Sequence, residues 1–244
     1  MPSKRSAIFT AMAAELSGEP RWKPYADWCV AHGNNQPEHA AIAAEHFVQI
    51  ARDWSFEERK RFSLWLVNST GRVSEQCGRS RFRRRFSTGG PGLFASRIVV
   101  DAVLRPTLAE WRRDEPDNPE PHFWAGLYDE NPMPSLREAI RLDPAHGPAR
   151  AATGWLILNA VDHAQHGLPS GYLGDPVDDL SSLREAEALV DQAVDQGVRN
   201  SLEPHLSKLR EAAEDWIRLR DQMRGLNQSS RNAIWQVRAA KDSV

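Results

Sequence analysis

Apolar residues recur at helical spacing along almost the whole chain, and strand-type alternation between turn signals is nowhere convincing. Ile42, Phe47, Ile50, Ala51 and Trp54 fall on one stripe. Ser55-Phe56-Glu57-Glu58 then forms a capping box, predicting a helix start in which Ser55 and Glu58 satisfy each other's backbone amides. Phe62, Trp65 and Leu66 continue the apolar face of that helix, and Gly71 is placed to end it. The 94–112 stretch carries the strand-prone triplet Ile98-Val99-Val100. Phe94, Ile98, Ala102, Leu108 and Trp111 nonetheless fit a helix kinked at Pro106. Ser135-Leu136-Arg137-Glu138 is a second capping box. Further helices are predicted through Ala149, Ala152, Trp155 and Leu158, over Leu183–Val194, and over about 201–224 and 229–241. Leu202, Leu206, Leu209, Ala213, Trp216 and Leu219 mark the long penultimate helix as strongly amphipathic. The fold class is all-α.

The totals fit such a chain. With 244 residues and 41% hydrophobic content, it has material for a full core without metal or disulfide. No apolar run nears the ~20 residues needed to span a bilayer. Lys4 and Arg5 precede a short apolar run, closed by Glu15, that suits an amphipathic helix better than an export signal. Two cysteines, Cys29 and Cys77, are no disulfide framework, so a soluble, cytoplasmic protein with reduced thiols is expected.

The stretch Leu136–Gly154, LREAIRLDPAHGPARAATG, adds an architecture. Ala139, Ile140, Leu142, Asp143 and Pro144 form a small–aliphatic–Leu-Asp-Pro helix stop, and Ala149 and Gly154 provide small packing positions in the next helix. Ala186 and Ala193, seven apart, repeat the small positions downstream. This pattern resembles the tetratricopeptide repeat family over residues 121–197. His122–Tyr128 resembles the opening helix of such a repeat, with Pro132 and Pro134 expected to interrupt the repeat beyond it and 166–179 forming an inserted loop. The resemblance implies a helical-hairpin stack, a TPR-like α-α superhelix, with extra N- and C-terminal helices completing the core. The chain then divides into an N-terminal helical region (1–112), a proline-rich linker (113–121), the repeats (122–197) and C-terminal helices (198–244). The resemblance also implies a groove that binds a peptide or protein, with Trp124 and Tyr128 as groove residues.

The loudest chemistry is basic. Arg79, Arg81, Arg83, Arg84 and Arg85 lie within seven residues, punctuated by Phe82 and followed by Phe86 and a glycine-rich turn. On a helix the two phenylalanines fall within about 40° of each other, so they would anchor it and leave the arginines in solvent. Seven arginines and one glutamate between Arg72 and Arg97 give a local +6 in a chain of net charge −2. Guanidinium groups favour paired contacts to carboxylate or phosphate. An acidic protein or peptide partner is the first reading, and a nucleic-acid or phosphate-bearing partner is the alternative. The glycine turn is no P-loop, since no Gly-Lys-Ser/Thr comes after it.

Other candidates point less far. His163 and His166, three apart, have a spacing that can hold a metal, but lack the carboxylate of a metal-protease helix. His39 and His46 share another face. Cys29 beside Trp28, with His32 three residues on, reads as a buried thiol rather than a nucleophile. Trp22 and Trp28 among prolines could line a peptide groove. No residue set calls for a cofactor, and none assembles a catalytic site.

Overall fold

The computed structural model describes residues 4–76, 95–166, 172–192 and 196–222, and among these the only regular structure is helix. The chain forms two compact units, Met1–Pro144 and Ala145–Val244.

In the first unit, α1 (Lys4–Leu16) buries Phe9, Met12 and Leu16 along one stripe and packs on α2 (Lys23–Gly33), which packs in turn on α3 (Pro37–Ala51). The α1–α2 approach is close: a β-carbon on Gly33 would come within 2.8 Å of Phe9 Cβ. Tyr25 sits at the middle of an aromatic core, with ring centroids 5.0 Å from Trp28, 5.1 Å from Phe62 and 5.2 Å from Phe47. The buried face of α3 is Ala40, Ala44, Phe47, Val48 and Ala51. Ile42, expected on that face, is 64% exposed; the alanines turn inward instead and let α2 approach.

The Ser55 capping box forms as expected. Glu58 accepts from the Ser55 backbone amide at 2.9 Å, and the Glu58 amide donates to Ser55 Oγ at 3.3 Å. It opens α4 (Phe56–Gln76), which runs through Gly71 instead of ending there. A lone glycine weakens a helix by only about 1 kcal/mol and does not by itself stop one.

The strand-prone triplet at 98–100 is helical. Arg97–Val99 (α5) passes into a π-helical turn, Val100–Leu104, and then into α6 (Arg105–Asp114). The wider turn lies immediately before Pro106, whose missing amide and bulky ring disturb a regular ladder. The buried Thr107 hydroxyl donates to the Val103 carbonyl at 2.6 Å.

A four-residue turn leads to α7 (Pro119–Tyr128), capped by Asn118, whose side chain accepts from the Glu120 amide at 3.0 Å. The C-terminal end of α7 is held by Arg105, which donates to the Tyr128 carbonyl through Nε and Nη2 at 3.1 and 2.7 Å. That sets a cation at the negative pole of the helix dipole. Next, α8 (Pro132–Leu142) packs along α7. Here the structure corrects two expectations. Pro132 and Pro134 do not interrupt a repeat; they occupy the first turn of α8, where backbone donors have no intrahelical partner to lose. Ser135 is therefore inside the helix and not its cap. It is buried, donating to Asp129 Oδ2 and accepting from Arg112, both at 3.3 Å. Leu142 ends α8, as the Leu-Asp-Pro stop requires.

The second unit begins with α9 (Gly147–Gln165), capped by His146, whose Nδ1 accepts from the Ala149 amide at 3.1 Å. It packs on α10 (Pro176–Asp191), and α11 (Gln196–Gln222) packs on both. Tyr172, ahead of α10, donates to Asp179 at 2.7 Å, and Gln165 donates to the Leu209 carbonyl at 2.8 Å, tying α9 to α11. Leu202, Leu206, Leu209, Ala213 and Leu219 of α11 are buried, as their spacing predicts. The segment expected to be helical at 229–241 lies outside the described residues.

Candidate functional site

Arg79, Arg81, Arg83, Arg84 and Arg85 lie outside the described residues, as does Cys77. The other expected site residues have definite places, most of them interior. Trp124 is 7% and Tyr128 1% exposed, so both belong to the core of the first unit and offer no groove surface. α7 is continuously buried from Phe123 to Tyr128, where α6 and α8 pack against it. Trp22 and Trp28 are buried likewise.

Cys29 is a buried thiol, and its desolvation pushes ionisation far above the ordinary range. A thiol held neutral in this way is no nucleophile at physiological pH. His163 and His166 stand with ring centroids 5.8 Å apart, and Asp162 lies 3.8 Å from His166 Nε2. No group of three or more metal-ligating side chains is assembled among the described residues.

The structure does bring together a constellation that the sequence pattern does not single out: a basic stretch of α4 facing the acidic edge of α6 and the turn after it. Arg59 donates to Glu110 at 2.6 Å and to the Trp54 carbonyl, also at 2.6 Å. The Lys60 ammonium lies 4.2 Å above the Trp111 ring centroid and donates to Glu115 at 2.6 Å. Asn118 also donates to Glu115, at 2.7 Å. Lys60 first, then the Trp111 N–H and Asn118, hold the Glu115 carboxyl down at about 2. Of these, Lys60 and Asn118 form the hydrogen bonds, since the Trp111 N–H falls outside bonding geometry. Arg61 lies over Trp22 and pairs with Glu19 at 3.2 Å, while Arg21 pairs with Glu58. The signal in the sequence was the ERKR run at 58–61, but its partners stand up to 55 positions away.

His122 faces a second mixed-charge group formed by Arg112 of α6 and Glu138 and Arg141 of α8. Its Nε2 is buried without a bonding partner. Desolvation, aided by the two arginines, lowers its proton affinity against the opposing pull of the Pro116 backbone and Glu138. The imidazole is thus held toward its neutral form.

The ion pairs of α4 are clasps that set opposite charges against one another between elements. No family model, curated protein or solved structure matches this chain. No described helix is long and apolar enough to cross a membrane.

Proposed function

We propose that the chain is a helical-hairpin interaction protein of tetratricopeptide-like construction, and that the arginines at 79–85 engage an acidic protein or peptide. The observation that carries the reading is the distribution of countercharge. In the first unit, Arg21, Arg59, Lys60, Arg61 and Arg105 each stand within 4 Å of a carboxylate of that same unit. Between Glu75 and Asp101 the sequence has no carboxylate at all, yet it holds six arginines, five of them from Arg79 to Arg85. With no carboxylate of its own from 76 to 100, the cluster is suited to a partner that supplies acidic groups.

Hairpin construction supports the architectural half. In α7–α8 a β-carbon on Gly126 would fall 2.6 Å from Leu136 Cγ; in α9–α10 one on Gly154 would fall 3.4 Å from Val190 Cγ2. In both hairpins a glycine of the first helix faces the second, the use of small residues that the repeat resemblance implies. Helical repeats of this kind present one face of each hairpin to partners.

The test is affinity capture with the intact chain and with a triple reversal, Arg81→Glu, Arg83→Glu and Arg85→Glu. A defined partner recovered by the intact chain and lost by the reversal supports the reading. The same recovery from both proteins moves the binding surface elsewhere.

A further inference from the structure

No further inference is drawn: the strongest candidate, the exposed apolar surface patch of Leu173 and Val177 where the second unit's loop leads into α10, is unpartnered, and nothing in the structure shows what covers it.

Discussion

Tyr25 is wholly buried, and its hydroxyl finds no hydrogen-bonding partner in good geometry. Burial raises its ionisation well above the ordinary range, and the Ser96 backbone offsets this only slightly. A buried polar group without a bond costs about 1–3 kcal/mol, so Tyr25→Phe is expected to be neutral or stabilising, by at most about that amount. Urea denaturation checks it; a clear loss of stability would mean that the hydroxyl is bonded. The two hairpin glycines should behave differently from each other. At Gly126 a methyl group meets Leu136 Cγ at 2.6 Å and its backbone nitrogen at 3.2 Å, so Gly126→Ala should cost about 1–3 kcal/mol. At Gly154 the closest atom is at 3.4 Å, an ordinary contact, so Gly154→Ala should be neutral or gain up to about 1 kcal/mol from helix propensity. Equal losses at both positions in the same denaturation series would contradict the packing described. Residue-level reading of the sequence worked where partners are local. The Ser55 box needs only a neighbour three positions on, and it formed. The Ser135 box matches the same pattern, but Pro132 and Pro134 start the helix earlier, and Asp129 and Arg112 claim the hydroxyl.

Among the elements, the Lys60–Glu115 clasp makes a pH prediction. The Glu115 carboxyl is held at about 2, against an ordinary 4.5. The folded state therefore favours its ionised form. That stability is fully present above 4.5 and is lost as pH falls toward 2. Thermal melts across this range should show a shallower acid limb for Glu115→Gln, and Lys60→Met should raise the carboxyl toward its ordinary value. An unchanged acid limb in both variants would remove the clasp as a source of stability. His122 acts at higher pH. Its native affinity for a proton is lowered, so its contribution is complete above about 6.5 and is lost as pH falls below that value. His122→Gln should flatten the stability profile just below 6.5, and an NMR titration of the imidazole should give a native value under the ordinary one. A native value above 6.5 would contradict the burial described. Helix existence was legible because a 3.6-residue period survives in any tertiary setting. Where helices start, stop and turn was less so. Pro106 announced a disturbance, but only the three-dimensional fold shows it resolved as a π-helical turn. The inward face of α3 depends on which side α2 approaches, and for that reason Ile42 is exposed while alanines are buried.

For the whole molecule, the described residues form two helical units in which most helices pack on a chain neighbour, while α4 packs on the π-helical turn and α6 and α5 packs on α3. The all-α class was visible in the periodicity. The fate of the aromatic residues was not: Trp124 and Tyr128 look like groove residues in sequence, yet α6 and α8 enclose them. The long-range ionic clasps were invisible for the same reason, since their partners stand far apart in sequence, 51 positions for Arg59–Glu110 and 55 for Lys60–Glu115. The arginine cluster remains the strongest functional signal in the sequence, and the proposal made for it turns on which polyanion it prefers. An acidic protein surface and a nucleic acid both attract guanidinium groups, but nucleic-acid binding driven by phosphate contacts releases counterions and weakens steeply with salt. The direct measurement is fluorescence anisotropy of the intact chain against a labelled glutamate-rich peptide and against labelled mixed-sequence DNA and RNA, at low and physiological salt. The expected result is binding of the acidic peptide that survives physiological salt and disappears in the Arg81→Glu, Arg83→Glu, Arg85→Glu variant, with only weak, salt-labile binding of nucleic acid. Tight nucleic-acid binding lost on the same reversal, or no acidic-peptide binding even at low salt, would contradict the account.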